Sequence, residues 1–274
     1  MNKREWENKE IKFVLDQHKR GHSRHAIAKL FKSKFGYLRT PDSIKHCLDT
    51  HGLEIERDLP RVLVVDIETK PKKYWAWGAW DQNLGPDMMI EDGAIMSWSA
   101  KWIGEDKVFY SDQRGNEKSL LDDKKLLEPL RELMDRASTV LWQNGDSFDY
   151  GEINARFVSN GIELPSEYKT IDTKKIAKRH LRLPYYSLAY MSARFNKKYK
   201  KQDHAEFSGM KLWIACMNGV RKAWNCMKTY NNFDVLSTEE LFVDTLAPLA
   251  MAKGNATVTA AMRAYRAAIV KKKK

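Results

Sequence analysis

Four consecutive apolar residues, Val62 to Val65, lead directly into Asp66 and, two residues later, Glu68. A continuous run this short and rich in β-branched residues predicts a central strand of an α/β fold, covered on both faces of its sheet. Side chains alternate along a strand, so Asp66 and Glu68 project from the same face. Two neighbouring carboxylates repel each other unless a cation lies between them, and oxygen ligands favour Mg²⁺ or Mn²⁺. The pattern therefore predicts a buried strand that ends at a divalent-cation site, with a solvated strand end as the alternative.

A second acidic segment follows another strand signal. Thr139–Trp142 is predicted to be a strand, and Gly145 marks a turn into a helix that begins near Tyr150 and ends near residue 160. In α/β folds, the junction between a strand and the next helix commonly holds the functional groups. Asp146 and Asp149 compete for this position. We expect Asp146 to be a turn or helix-capping aspartate and Asp149 to be the functional carboxylate.

The third acidic segment contains Tyr230 and Asp234, and it is predicted to open a helix that continues through Phe242. Residues four apart share one face of a helix. A phenol beside a carboxylate can orient a water molecule that a metal on that carboxylate activates. An ordinary amphipathic helix is the alternative explanation for this segment taken alone.

Together the three segments occur in the order Asp-x-Glu, Asn-x-x-x-Phe-Asp and Tyr-x-x-x-Asp. In this order and spacing, residues 61–250 resemble the DEDD exonuclease superfamily, which includes polymerase proofreading domains and ribonuclease D-like enzymes. Tyr230 indicates the tyrosine-containing branch, because no histidine stands at the matching position. The resemblance implies an RNase H-like fold, which is a mixed five-stranded sheet with helices on both faces.

The resemblance also implies a reaction, the hydrolytic removal of nucleotides from the 3′ end of DNA. Carried over position by position, two divalent ions, Mg²⁺ or Mn²⁺, are held by four carboxylates: Asp66, Glu68, Asp149 and Asp234. Tyr230 then positions the attacking water. In a two-metal site, one ion lowers the pKa of the water and the other neutralises the leaving 3′ oxygen. From the resemblance alone we expect an enzyme of a phage or another mobile replicon, acting in the host cytoplasm and serving replication or recombination proteins in trans.

Three other functions remain open. An exoribonuclease is one, because no feature of the sequence distinguishes the 2′-OH of RNA. A DDE-type transposase or integrase also joins a DNA-binding domain to an RNase H-like core, but it needs isolated aspartates and a late glutamate, whereas Glu68 follows Asp66 by two residues. A nucleic-acid-binding regulator with an inactive nuclease fold is the non-enzymatic alternative, although all four carboxylates and the tyrosine are present.

Residues 1–50 are predicted to form a small domain of three short helices. Ser23 is positioned to cap the second helix, after a first helix that ends near Gly21, and Thr40 followed by Pro41 signals the start of the third. With an early Trp6 and the sequence Arg39-Thr40-Pro41, this domain resembles the Myb/SANT and homeodomain-like helix-turn-helix group, whose last helix enters the DNA major groove. A protein-interaction or packing module is the alternative. The candidate nucleic-acid contacts on the third helix are Asp42, Ser43, Lys45 and His46.

The rest of the chain divides by composition. Residues 51–60 are charged and lack periodicity, which predicts a linker to a nuclease domain at 61–252. Residues 253–274 are predicted to form a helical, lysine-rich C-terminal tail, which we expect to be mobile. Further strands are predicted at residues 95–103, 107–111 and 170–173, and further helices at 120–136 and 187–195.

The net charge of +12 favours a polyanionic partner, because lysine and arginine release the counterions that phosphates hold. Residues 169–201 carry eleven basic residues against one acid, Asp172, although such a stretch is also typical of a solvated face. Residues 74–80 are rich in aromatic side chains that can stack on unpaired bases, but with nine tryptophans in the chain, packing is the simpler explanation. The remaining candidate nucleic-acid contacts are Trp75, Trp77, Asn144, Lys197, Lys198, Lys200 and Lys201.

Several classes of protein are disfavoured. No run of 18 apolar residues could span a membrane, and the charged first ten residues lack the apolar core of a signal peptide. The three cysteines form no Cys-x-x-Cys pair, so we expect reduced thiols in a cytoplasmic protein. The absence of a phosphate-binding loop or a dinucleotide fingerprint argues against an ATP-driven motor.

Overall fold

The computed structural model describes residues 6–19, 24–50, 59–200 and 207–272. The chain divides into two compact units, Met1–Leu59 and Pro60–Lys274, each described by itself below. The predictions for Gly21, Ser23, Lys201 and most of the linker lie outside the described residues.

The first unit consists of three helices, as predicted. They are α1 (Asn8–Lys19), α2 (Arg24–Phe35) and α3 (Pro41–Thr50). Their core is apolar, with Val14, Ile27, Phe31 and Ile44 fully buried. The Thr40 side-chain oxygen accepts a hydrogen bond from Ser43 N at 3.1 Å, so this hydroxyl caps α3 as its position before Pro41 predicts.

The residues that carry the helix-turn-helix resemblance contact each other in this unit. The Arg39 guanidinium lies 4.2 Å from the centre of the Trp6 ring and pairs with the buried Glu10 carboxylate at 3.2 Å. Such stacking and pairing hold the start of α3 against α1.

The second unit contains seven strands among its described residues. In chain order they are β1 (Val62–Lys70), β2 (Lys73–Tyr74), β3 (Met89–Glu91), β4 (Ala94–Trp102), β5 (Phe109–Asp112), β6 (Thr139–Trp142) and β7 (Lys169–Asp172). Five of them form one sheet in the order β5-β4-β1-β6-β7. β4 is antiparallel to β1 and β5, whereas β1, β6 and β7 are parallel. β2 and β3 form a separate short hairpin.

The helices of this unit are α4 (Lys124–Asp135), α5 (Asp149–Ser159), α6 (Thr173–His180), α7 (Leu188–Phe195), α8 (Lys211–Met217), α9 (Arg221–Glu240), α10 (Ala247–Ala252) and α11 (Ala256–Lys272). A π-helical turn at Leu241–Leu246 joins α9 to α10, and 3₁₀ turns lie at Pro86–Met88 and Glu117–Ser119.

β1 separates two hydrophobic cores because its side chains alternate. Val62 and Val64 pack with residues of α6, α7 and α9–α11, whereas Leu63 and Val65 pack with residues of α4 and α5. The helices therefore cover both faces of the sheet. The predicted mixed five-stranded sheet with helices on both faces is confirmed.

Two predictions about the helices are wrong. α9 begins at Arg221, nine residues before Tyr230, so Tyr230 and Asp234 lie within a long helix rather than at its start. The alanine-rich C-terminal segment forms α11, as predicted, but it is not a mobile tail: Val258 and Ala261 are buried in the core beside β1. α11 packs closely against the backbone at Gly104, because a Cβ at that position would lie 2.8 Å from the Ala268 methyl group.

Among the residues described, no helix combines the length and apolar character that crossing a lipid bilayer requires.

Candidate active site

β1 brings two carboxylates to the face of the sheet that α9 covers. Asp66 and Glu68 continue the alternation of Val62 and Val64, and α9 supplies Asp234 to the same face. One oxygen from each of Asp66, Glu68 and Asp234 lies within 4.8 Å of the others. Asp234 is buried and the two β1 carboxylates are half-buried. Three carboxylates this close repel one another unless a cation lies between them, and an all-oxygen donor set fits Mg²⁺ or Mn²⁺.

Asn231 holds Asp66 in place. Its amide nitrogen donates to Asp66 Oδ2 at 2.6 Å and to the Asp66 carbonyl oxygen at 3.2 Å, and the side chain is fully buried. The Ser97 hydroxyl donates to Asn231 Oδ1 at 3.2 Å. Asn231 thereby orients one carboxylate oxygen of Asp66, and Ser97 of β4 in turn orients Asn231.

Alternate residues of β4 attach α9 to the sheet. After Ser97, the Ser99 hydroxyl donates to Asn232 Oδ1 at 2.8 Å, and Lys101 pairs with Glu239. Sequence analysis missed this function, as well as that of Asn231. The available signals were polar residues at alternate positions of an otherwise apolar strand, and an asparagine three residues before Asp234 on the same helix face.

Asp149 lies next to β1 rather than within the group of three. β1 pairs with β6 from Val62 to Val64. Beyond this pairing, the Ile67 N–H donates to Asp149 Oδ1 at 3.3 Å. Asp149 is the first residue of α5, where the partial positive charge of the helix N-terminus favours a carboxylate. Burial raises its pKa to about 7 despite the Ile67 hydrogen bond, and the charge of Asp172 acts in the same direction.

Asp146 makes contacts typical of a turn aspartate. Its Oδ1 accepts from the Trp142 indole N–H at 2.7 Å, and its Oδ2 accepts from Lys175 Nζ at 2.8 Å. Burial acts to raise its pKa, but the hydrogen bonds from Lys175 and Trp142 leave that pKa below its ordinary value. Both oxygens of Asp146 therefore bind neighbouring side chains of the fold, which supports the preference for Asp149.

The turn between β6 and α5 is built on Asp172, which sequence analysis missed. Its Oδ1 accepts from Asn144 N at 3.1 Å and its Oδ2 from Asp146 N at 3.3 Å, while Oδ1 also caps α6 through Lys174 N at 2.8 Å. Asn144 has a φ of +64°. The signal was an aspartate directly before a basic helix, a typical N-cap. The nucleic-acid contact predicted for the Asn144 side chain stays a prediction.

Because Gly145 has no side chain, the turn between β6 and α5 packs directly on the Trp142 ring. A Cβ at Gly145 would lie 2.1 Å from the Trp142 ring, whereas a Cβ at Gly151, in α5, meets nothing within 4 Å. We expect Gly145→Ala to destabilise the protein by at least about 1–3 kcal/mol through overpacking. The control Gly151→Ala is expected to stabilise it by about 0.5–1 kcal/mol. Urea unfolding measures both, and equal midpoints for the two variants would contradict the packing.

The raised pKa of Asp149 predicts how stability depends on pH. The folded state keeps this proton up to about pH 7, whereas the unfolded chain releases it near the ordinary aspartate pKa of 3.8. The folded state thus binds more protons, so stability falls as pH rises between these values, at up to about 1.4 kcal/mol per pH unit. In EDTA, wild type is expected to lose about 1–3 kcal/mol between pH 5 and pH 7 from this group. Asp149→Asn should show a flatter profile in urea unfolding, and parallel profiles would contradict the assignment.

Tyr230 lies one helical turn before Asp234 on α9. It is half-buried, and its ring packs edge-on against Trp213 with ring centres 6.1 Å apart. Trp213 belongs to α8, so that helix supports the side of α9 from which Tyr230 projects.

The tryptophans between β2 and β3 do not pack into the core. Trp75, Trp77 and Trp80 are 73%, 99% and 85% exposed, so the expectation that packing explains them is wrong. Trp75 N donates to the Met88 carbonyl at 2.8 Å near the base of the hairpin, and residues 75–88 do not belong to the apolar clusters of this unit. Base stacking remains the proposed function of Trp75 and Trp77.

The other predicted nucleic-acid contacts lie at the surface. In α3, Lys45 and His46 are exposed and Ser43 is half-buried. Lys197, Lys198 and Lys200 are exposed in the segment after α7. These positions are accessible to a ligand, and their contacts with nucleic acid stay predictions.

Comparison with known proteins places this site in a family context. A model of the RNase H superfamily matches residues 93–246, which include Asp149, Tyr230 and Asp234 and begin after the two β1 acids. No curated protein matches the sequence. Among solved structures, the family B DNA polymerase from the hyperthermophilic archaeon Pyrobaculum calidifontis aligns with 73% of this chain and with 27% of its own length. The identity is 13% and the TM-score is 0.49. Because the family model covers more than half of the chain, the protein belongs to the RNase H superfamily.

Proposed function

We propose that this protein is a metal-dependent nuclease that removes nucleotides from the 3′ end of DNA. The observation that carries the proposal is the convergence of Asp66, Glu68 and Asp234 within 4.8 Å, beside a buried Asp149. These carboxylates come from β1, α5 and α9, which are far apart in sequence. A structural role alone does not explain such a concentration of like charge, whereas phosphodiester hydrolysis with divalent ions requires it.

The residues present fit Mg²⁺ or Mn²⁺. Asp66, Glu68 and Asp234 would hold one ion, and Asp149 would join them in holding a second. When bound, the ions lower the pKa of the attacking water and neutralise the charge on the leaving oxygen.

The chain's own residues would orient the reactants. Asn231 fixes one oxygen of Asp66, so the carboxylate presents its other oxygen in a defined direction. Tyr230, on the same face of α9 as Asp234, would hold the attacking water by a hydrogen bond from its phenol.

The surroundings support a single-stranded substrate. Three exposed tryptophans follow the strand that carries Asp66 and Glu68, and an aromatic face contributes about 1–3 kcal/mol per stacked base. The first unit would add affinity for duplex DNA through α3.

Labelled single-stranded DNA, duplex DNA and single-stranded RNA, digested side by side with and without Mg²⁺ or Mn²⁺, test the proposal. With a 5′ label, removal of nucleotides from the 3′ end yields a ladder that shortens with time. Joined strands would indicate a transferase instead, and intact substrates that are nevertheless bound would indicate a regulator. Faster loss of RNA than of DNA would assign the activity to an exoribonuclease.

A further inference from the structure

A second row of side chains on α9 binds the lysine-rich segment that follows α7. Phe233, Ser237 and Glu240 are spaced i, i+4 and i+7, so they share one helix face. At 100° per residue, this face adjoins the one that carries Tyr230 and Asp234. The same helix therefore presents a candidate metal ligand on one face and holds a basic segment on the next.

Glu240 binds the main chain of this segment. Its Oε1 accepts from Lys197 N at 2.7 Å and from Lys198 N at 2.9 Å, and its Oε2 accepts from Tyr199 N at 2.6 Å. Burial acts to raise the pKa of Glu240, but these three N–H donors leave that pKa below its ordinary value. The Glu240 carboxylate therefore binds main-chain N–H groups.

Two further contacts hold the same segment. Asn196 Nδ2 donates to the Ser237 carbonyl at 2.9 Å and to the Ser237 hydroxyl at 3.2 Å. The Tyr199 ring packs edge-on against Phe233, with ring centres 5.8 Å apart. Each of the three residues of the row on α9 thus binds residues 196–199.

The fixed segment presents positive charge. Lys197, Lys198 and Lys200 are exposed, whereas the backbone that carries them is held by a buried asparagine and a partly buried glutamate. Fixing the backbone of one residue costs about 1–2 kcal/mol of conformational entropy, which here is offset by contacts within the protein before any ligand binds. A preordered cluster of lysines suits a polyphosphate strand, which offers regularly spaced negative charges.

We propose that residues 196–200 form a binding site for the phosphodiester backbone of the substrate strand, away from the bond being cut, and that Glu240 is the positioning residue that holds this site beside Asp234. The inference rests on the proposed nuclease function. It adds a phosphate-binding subsite and the residue that orders it.

The test compares Glu240→Ala with wild type on two substrates. One is a decathymidylate, and the other is the p-nitrophenyl ester of thymidine 5′-monophosphate, which has no neighbouring phosphates. For the decathymidylate, KM is expected to rise at least tenfold with kcat within twofold, whereas kinetics on the ester stay unchanged. Glu240→Gln keeps one acceptor oxygen and should give an intermediate KM.

A triple variant tests the lysines while leaving the backbone hydrogen bonds to Glu240 in place. Lys197, Lys198 and Lys200 replaced by alanine should raise KM as Glu240→Ala does, and combining both sets should add little, because they act on one subsite. The logarithmic salt dependence of binding should become less steep by about 2, at about 0.7 per phosphate contact on a single strand. The matched control replaces Lys118, Lys124 and Lys125, exposed lysines in and near α4, and changes net charge equally.

The outcomes separate this inference from the proposed function. Equal losses on both substrates, an unchanged KM for Glu240→Ala, or the same change of salt dependence in the control would overturn the inference. If wild type cleaves neither substrate, the nuclease proposal fails, and fluorescence anisotropy of a labelled decathymidylate in EDTA still decides the subsite. Wild type should then bind at least tenfold more tightly than Glu240→Ala, and equal affinities would reject it.

Discussion

Replacing Asp66 with asparagine is expected to slow cleavage of single-stranded DNA by at least about 10³-fold, while oligonucleotide binding in EDTA changes by less than about threefold. Asp66 is one of three carboxylates whose oxygens lie within 4.8 Å of each other. Asparagine preserves the shape of the side chain and can still accept the hydrogen bond from Asn231, so the fold should be retained. The charge that attracts a divalent ion is lost.

Asp135→Asn is the matched control. Asp135 accepts hydrogen bonds from Ser166 N and Oγ, both at 2.9 Å, at the end of α4 on the opposite face of the sheet. Single-turnover rates with excess enzyme, together with manganese binding by calorimetry, measure the effect. Cleavage by Asp66→Asn at more than a tenth of the wild-type rate would remove Asp66 from the site.

The pair Asp149→Asn and Asp146→Asn is expected to separate the two aspartates of the second motif. Asp149→Asn should lose at least about 10²-fold in kcat, because its carboxylate lies against β1 between Asp66 and Glu68. Asp146→Asn should stay within about threefold, since both oxygens of Asp146 serve Trp142 and Lys175. The amide can keep one of these contacts.

Unfolding midpoints for both variants show whether a loss of activity only reflects a loss of stability. Lys175 is exposed whereas Asp146 is largely buried, so loss of this pair costs about 1 kcal/mol, and Asp146→Asn should remain folded. A larger loss of activity in Asp146→Asn than in Asp149→Asn, at equal stability, would reverse the assignment.

Local sequence signals predicted the parts of this structure that depend on neighbours in the chain. The alternation of β1 fixed the shared face of Asp66 and Glu68, and the spacing of Tyr230 and Asp234 placed both on one helix face. The Thr40 cap of α3 and the strand β6 followed from equally local patterns. These features need no knowledge of distant residues.

What was missed depends on contacts between distant segments. Asn231, Asp172 and Glu240 are ordinary polar residues in sequence, and their functions appear only when β4, the motif turn and the segment after α7 lie beside them. The tryptophans of the β2–β3 segment were expected to pack into the core, because composition alone does not show which aromatic residues are buried. The prediction that α11 is mobile was wrong for the converse reason, because this helix of small residues packs into a hydrophobic core.

The two cores on either side of β1 have a consequence for how the site arises. If β1 paired one residue out of step with β4, Leu63 and Val65 would exchange places with Val62 and Val64, and both acidic side chains would turn toward α4 and α5. Burying two carboxylates among those apolar side chains carries a large desolvation cost, which disfavours that register. The alignment of β1 in the sheet therefore also decides that Asp66 and Glu68 face α9, where Asp234 lies.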